Sequence, residues 1–485
     1  MKISRRSAIG GGLVTLGVAG LTACTDTTGL ASSLGVITGI NQSQAGPNGI
    51  QPAELRSNNG TLKVNLVAKP TSLKIGGTSV AANGYNGSVP GPTWRVKPGD
   101  TITVNFENRL GESTNIHTHG FHVSPGSNSD NVFVEVKDGG SFQYQYRLPA
   151  NHPTGLFWYH PHHHGMAAEQ VFSGLYGAII VEEPDPIKVD EERVLVLSDI
   201  SFDSGGNLLG PTLMGKMMGR EGSQLLLNGQ VQPTFTARNN SVERWRIVNA
   251  ATSRYFKLHW TGAQVQLMAV DSGRLDAPES VHELTLAPGN RVDLLVTLAG
   301  SKAQLLYDTV AHADAGMMGG KTYQNYPLAT FKPGAKSGLG KAKAIARTKN
   351  RNLKTAKTDA KRTFTLAMPS MTGMMGSGGR FTINGATFNP NLVNTTVNFG
   401  AIEEWTIRNT STMNHPFHMH VWPMQVLSVN GVETAGTRWQ DVVNVPAKGE
   451  VVVRVAFEDF KGMAVYHCHI LDHEDQGMMG IIEVV

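Results

Sequence analysis

Four pairs of histidines separated by one residue stand out in this 485-residue chain, His117/His119, His160/His162, His418/His420 and His467/His469. Residues i and i+2 of a β-strand point to the same face, so each pair can aim two imidazoles at one point. A single pair carries little weight. Two pairs in the first third and two in the last form a pattern, and eight imidazoles meeting across an interface would hold several transition-metal ions. A second donor set surrounds the final pair. Cys468 lies between His467 and His469, so its sulfur would face away from them; His473 and Met478 follow, and His415 stands three residues ahead of His418. Two imidazoles, a thiolate and a weak axial thioether make the trigonal set of a blue-copper centre. Zinc accepts Cys and His too, but it has no redox chemistry to share with an adjacent cluster. The His467-Cys468-His469 tripeptide links the two sets through a few covalent bonds, a path suited to electrons.

Cysteine usage agrees with a metal. The chain has two cysteines, Cys24 and Cys468, and the first falls in a leader-like segment. An exported body with one cysteine holds no internal disulfide, and an unpaired thiol in an oxidising compartment is a liability unless something occupies it. Of the remaining histidines, His163 and His164 extend the second pair but change face or leave the strand, so neither is counted as a ligand. His164 can still line a channel or support a ligand from behind. His122, His152, His259, His282 and His312 read as structural or exposed.

The elements that would position these groups are strands. Leu62-Lys63-Val64-Asn65-Leu66-Val67 alternates apolar and polar, as a half-buried strand does. Thr93–Val96 and Thr101–Phe106 flank the turn Pro98-Gly99-Asp100, and the pattern returns around Pro288-Gly289-Asn290 and around Pro446-Ala447-Lys448-Gly449. Read as hairpins, these point to three copies of one β-sandwich. A second echo links Gly155-Leu156-Phe157-Trp158-Tyr159-His160-Pro161-His162 with Gly462-Met463-Ala464-Val465-Tyr466-His467-Cys468-His469. The middle third has no His-X-His, so it is read as a spacer or shaping element between two chemical domains. The boundaries are placed at 55–185, 190–332 and 363–485, with a linker over 333–362.

Length and charge fit that plan. The chain is long for one domain and comfortable for three. The net charge of +4 is small, and the stretch Lys336 to Arg362 carries ten basic residues against one acidic one. It has no aromatics and is rich in Ala, Thr and Gly, so it reads as a solvated linker rather than a nucleic-acid-binding face.

Residues 1–24 read as an address. Arg5-Arg6 precedes a weakly apolar, Gly-rich run that ends in Leu21-Thr22-Ala23-Cys24. The run is too short and glycine-rich for a comfortable membrane span. The paired arginines resemble a twin-arginine export signal, although Ala8 stands where a Phe is usual. Leu-Thr-Ala-Cys resembles a bacterial lipobox, which implies a lipid anchor on Cys24 and a periplasmic or cell-envelope location; an ordinary signal peptide ending near a cysteine is the alternative.

The segments Ile116-His117-Thr118-His119-Gly120, Trp158-Tyr159-His160-Pro161-His162, His415-Pro416-Phe417-His418-Met419-His420 and His467-Cys468-His469-Ile470-Leu471-Asp472-His473 to Met478 resemble the four copper-binding segments of multicopper oxidases. The resemblance spans the body of the chain. It implies an all-β protein of three cupredoxin-like Greek-key β-sandwich domains carrying four coppers: one type 1, one type 2 and two type 3. Carried over residue by residue, it implies type 1 copper on Cys468, His415, His473 and Met478, and type 2 copper on His117 and His418. The type 3 pair would sit on His119, His160, His162, His420, His467 and His469. The implied reaction takes single electrons from a reductant at type 1 copper and reduces dioxygen to two waters at the three-copper cluster. Water formation needs protons, and Glu474 and Asp130 occupy places resembling the family's relay acids. The plain alternative for both is a solvated loop carboxylate.

The reductant is less legible. The chain has 18 methionines, several in aperiodic company: Met214, Met217 and Met218; Met317 and Met318; Met368, Met371, Met374 and Met375. Thioethers are soft donors that select Cu(I), so such loops near type 1 copper would suit a cuprous oxidase in copper tolerance. Irregular packing explains Met loops equally simply. Met413 resembles a substrate-copper ligand of bacterial cuprous oxidases, while Ser411 stands where an acid is expected. The main rival is a laccase-like oxidase of phenols or aromatic amines, which predicts an open pocket at type 1 copper. A copper nitrite reductase needs fewer His pairs. A non-enzymatic copper-binding or structural relative would be expected to lack cluster ligands.

Overall fold

The computed structural model describes residues 36–38, 47–310, 322–341, 343, 345, 347–369 and 380–485. The leader with Cys24, together with His312, Met317, Met318, Met371, Met374 and Met375, lies outside the described residues. Strands dominate, and the described helices are short. In the first unit a four-stranded sheet takes the order Thr78–Tyr85, Thr61–Ile75, Thr101–Asn108, Ser141–Arg147. It faces a five-stranded sheet in the order Glu54–Arg56, Thr93–Val96, Gly177–Val181, Gly155–His160, His117–His119. Leu62, Val64, Leu66 and Ala68 alternate inward from the first sheet and meet Trp94, Phe157 and Ile179 of the second. Two further six-plus-five-stranded sandwiches follow, each with its own apolar core. The protein is an all-β assembly of three sandwiches, as its strand pattern implies, and of the cupredoxin-like kind that the family resemblance implies.

The three Pro-rich turns repeat as expected, but they do not close hairpins. Thr93–Val96 and Thr101–Asn108 lie in opposite sheets, as do Glu283–Leu286 and Arg291–Leu298, and Val442–Val445 and Glu450–Ala456. Each turn carries the chain across the sandwich. Gly99 and Gly289 adopt φ of 87° and 84°, and Lys448 takes the same left-handed region in the third copy. The Asp100 and Asn290 side chains tie the first two turns, accepting from Lys97 N and Ala287 N respectively. The local turn chemistry was legible; which sheet each flanking strand joins depends on partners far away in sequence.

The basic stretch after the middle sandwich is strapped down rather than solvated throughout. Leu353 is buried, and Arg454 Nη1 lies within hydrogen-bond reach of the carbonyls of Leu353, Lys354 and Ala356. Asn350 donates to Arg274 O and Asp276 Oδ1 of the middle unit. Its charges are also partly paired, as in Arg351 with Glu458 and Lys354 with Glu433.

Candidate metal centre

The first and last sandwiches present their five-stranded sheets to one another, and the eight His-X-His imidazoles meet between them. Only His117–His119 lies wholly on a strand. In the other pairs the second histidine sits just past the strand end, as His162, His420 and His469 do. All eight are buried. His162 Nε2 and His420 Nε2 each stand 3.2 Å from His467 Nε2, and His160 Nε2 stands 3.4 Å from His119 Nδ1. His119 stacks on His418 and His117 on His420, both at 3.8 Å between ring centres.

The donor chemistry fits bound metal. Burial, reinforced by neighbouring imidazoles, lowers the pKa of His160 to about 3 and that of His162 to about 4, where burial outweighs the opposing pull of Glu474. Neutral imidazoles are ready ligands. His117 Nε2, His418 Nε2 and both nitrogens of His469 have no hydrogen-bond partner in spite of complete burial, a costly arrangement unless something else binds them.

The second donor set forms inside the third sandwich. Cys468 points opposite to His467 and His469, into that unit's core, with Sγ 3.4 Å from His415 Nδ1 and 3.7 Å from His473 Nδ1. Met478 is buried in the same core, and its carbonyl accepts from Cys468 N. Burial pushes the Cys468 thiol pKa well up, with the Glu474 charge adding to it, so the thiolate needs a cation beside it.

Neither candidate acid is a solvated loop residue. Asp130 is buried and accepts from Thr118 N and Thr118 Oγ1 at 2.8 and 3.0 Å; both its oxygens lie 3.0 Å from His117 Nδ1. Burial raises its pKa to about 7 against the Thr118 hydrogen bonds that favour the anion. Glu474 is fully buried. Burial alone would raise its pKa, but His162 and His467 hold it well below the usual carboxylate range. Its Oε2 lies 3.0 Å from His467 Nδ1 without hydrogen-bond alignment, so both oxygens remain unpartnered beside the cluster.

Several supporting residues carry no motif. Asp441 Oδ1 lies 3.0 Å from His119 Nε2, and its carbonyl accepts from His418 Nδ1 at 2.7 Å. Arg291 of the middle sandwich grips Asp441, and Gly289 packs so closely that a Cβ there would meet His469 Nε2 at 2.9 Å. The middle unit is thus part of the cluster wall, and the conspicuous glycine of its turn was the available signal. Ser411 is buried, with Oγ 2.8 Å from His415 Nε2, so it buttresses that candidate ligand from behind. His473 Nε2 donates to Met217 O at 2.9 Å. His163 and His164 do not join the cluster; with His162, Phe388 and Met479 they line a cavity of about 510 Å³ that leads to it.

Three family models, each described as multicopper oxidase, match residues 67–186, 158–330 and 354–485. The chain is 28% identical over 413 residues to the multicopper oxidase mco of Staphylococcus aureus, covering 83% of each protein. Among solved structures it is similar to the multicopper oxidase of Campylobacter jejuni described as a metallo-oxidase, with TM-score 0.80 and 28% identity over 91% of this chain and 96% of that one. It is also similar to a laccase-like CueO from Ochrobactrum sp. with activity towards lignin model compounds, with TM-score 0.77 and 27% identity over 90% of this chain and all of the other. Matched along almost the whole of its body, the chain belongs to the multicopper oxidase family.

Proposed function

We propose that this copper-dependent oxidoreductase is a Cu(I) oxidase serving copper tolerance in the cell envelope. Its four coppers are assigned as follows: type 1 to Cys468, His415, His473 and Met478; type 2 to His117 and His418; and the type 3 pair to His119, His160, His162, His420, His467 and His469. Bound copper supplies one-electron acceptance at the Cys468 site and four-electron reduction of dioxygen to water at the histidine cluster. The chain's own residues connect the two, since His467-Cys468-His469 joins both donor sets through consecutive peptide units. Asp130, behind His117 and with its pKa raised by burial, is suited to hold a proton, and Glu474, anionic beside the cluster with unpartnered oxygens, to accept one and pass it on.

The observation that carries the Cu(I) reading is the cover over the Cys468 site. The helix Leu213–Met218, capped by Thr212 Oγ1 accepting from Gly215 N, lies across His473. Gln476 donates to Lys216 O, and Gly219 sits so close to Ile470 that a Cβ would meet its Cγ2 at 2.8 Å. Met217 and Met218 share one buried cluster with Cys468, Met413 and Met478; Met368 packs on its edge and Met214 reaches the surface. Soft thioethers above a redox copper favour a cuprous ion over a bulky phenol. Oxygen uptake by the copper-loaded chain, with Cu(I) or a bulky phenol as sole reductant, tests this. Strong uptake with Cu(I) and little with phenol is expected; the reverse would make the enzyme laccase-like and return the methionines to packing.

Export with a lipid anchor on Cys24 completes the proposal and rests on the Arg5-Arg6 and Leu21-Thr22-Ala23-Cys24 motifs. Mass spectrometry of the mature N-terminus tests it, and an unmodified residue beyond Cys24 would end the anchor reading.

A further inference from the structure

His122 follows the first His-X-His pair, outside the ligand set, and both of its ring nitrogens reach into the third sandwich. Nδ1 lies 2.9 Å from Val421 O and Nε2 lies 2.9 Å from Asp459 Oδ2. A carbonyl and a carboxylate only accept, and a neutral imidazole carries a single N–H. The doubly protonated ring donates to both. With one proton, one of the two contacts sets acceptor against acceptor.

The two residues that His122 grips share a strained backbone. Val421 and Asp459 adopt φ of 68° and 70°, a region that β-branched residues such as valine avoid. Trp422 N donates to His420 O at 2.7 Å and Phe460 N to Glu458 O at 2.8 Å. Each residue is therefore the centre of a three-residue turn of the rare, strained hand. Trp422 Nε1 donates to Glu458 O at 3.1 Å and ties one turn to the other. Strain of this kind persists where the surroundings hold it. The first turn begins at His420, whose Nε2 stands 3.2 Å from His467 Nε2 in the cluster.

His122 is itself held by the first sandwich. Its backbone N–H donates to His152 Nε2 at 3.1 Å, and His152 Nδ1 lies 2.8 Å from Pro153 O. Burial brings the His152 pKa down to about 3, so that ring is neutral with its one proton directed at Pro153 O. The other ionisable groups about His122 are Asp459 and, beyond it, Glu458, which is paired with Arg351. Phe460 packs edge-on against the ring at 5.0 Å.

We infer that His122 is a positioning residue: with both nitrogens protonated it clasps the two turns and fixes His420 in the cluster, and losing a proton as pH rises loosens that hold. The first sandwich thereby sets a ligand that the third one carries. This rests on the proposed assignment of His420 to copper, and the test separates the two.

The full chain, labelled with ¹⁵N in its histidine rings and loaded with Cu(I) so that it is diamagnetic, is followed by NMR. The titration runs from about pH 5 to about pH 8, the range in which histidine changes charge, with His122 assigned by its loss in His122→Gln. Four coppers per chain and a His122 ring protonated at both nitrogens at the acidic end are expected, with faster loss of cluster copper to a chelator once a proton leaves. Fewer than four coppers would remove both the ligand assignment and this inference. Four coppers with His122 singly protonated throughout would remove the inference alone. In His122→Gln, which cannot titrate, cluster copper at the acidic end should be held on the order of tenfold less tightly, the low end of the range for groups that support a ligating histidine, and the pH step should vanish. The blue Cys468 absorption should persist. Asp459→Asn keeps an acceptor and removes the charge, so there the step should move to lower pH. A step that survives in His122→Gln, or equal copper loss from both sites tracking a lower melting temperature, would overturn the proposal. Should His122→Gln fail to fold, Asp459→Asn, at an exposed position, still decides, and a step left where it was would end the inference.

Discussion

The two donor sets share a tripeptide yet are built in opposite ways. The Cys468 set comes from residues 415 to 478 of a single sandwich and sits within that unit's own apolar core. The histidine cluster draws on residues 117 to 469, spans two sandwiches and is closed by a third. A site held by one core can form when that unit folds, whereas a site at an interface exists only after docking. Docking here depends on apolar contacts among Leu156, Trp158, Val194, Val248 and Leu471, and on buried ion pairs such as Arg244 with Glu183 and Arg220 with Asp472. Removing one partner of such a buried pair costs about 3–5 kcal/mol, because the other charge is stranded.

The sharpest break in that comparison is Cys468→Ser. It should abolish the blue absorption and bring turnover with any reductant to background. Copper analysis should show about one ion per chain lost and the cluster ions kept, because the histidines flanking residue 468 face the other side of the strand. Loss of all four ions would mean that the two sites are not separable as drawn.

Next in size are the amide variants Glu474→Gln and Asp130→Asn. Each keeps its shape and loses a titratable proton, so dioxygen reduction should slow by roughly 10²–10⁴-fold, the usual range for a positioned acid. Stopped-flow reduction of the Cys468 site should stay fast in both. Equal slowing of the two half-reactions would place these acids in the structural frame instead of the proton supply.

A third test concerns the cover over the Cys468 site. Replacing Met217, Met218 and Met413 together by Leu keeps volume, at a cost below about 1.5 kcal/mol for each swap, while deleting the thioethers. Oxygen uptake with Cu(I) should fall on the order of tenfold and uptake with a small phenol should not. Equal rates with both reductants before and after the change would return these residues to the role of core filler.

What could be read in the sequence divides along the same line. Every proposed ligand was visible, because strand periodicity and the His-Cys-His spacing are local rules that put donors of known chemistry at fixed offsets. The supporting residues were not. Asp441 and Arg291 are separated by 150 residues and meet only through docking, and nothing near either marks it as special. The three Pro-rich turns show the same limit: their repetition was local, but whether each closed a hairpin or crossed the sandwich was decided by distant strand partners. Burial of Asp130 and Glu474 was equally hidden, since both fall in polar loop sequence and are enclosed by another unit or by the cluster.

The smallest expected effect falls on the local site. Ser411 Oγ donates to Asn409 Oδ1 at 2.7 Å and accepts from His415 Nε2, which leaves His415 Nδ1 for Cys468 and its metal. Ser411→Ala deletes that acceptor without touching a ligand. The buried N–H should cost about 1–3 kcal/mol of stability, and the ring should be held less firmly. Because the rest of the site belongs to the same core, the blue absorption should survive with a shifted maximum and a changed potential, and Ser411→Thr should restore both. Cluster copper should be unaffected. If Ser411→Ala instead drained the cluster, the two sites would be mechanically coupled through the third sandwich, and the division between a local and an assembled centre would be wrong.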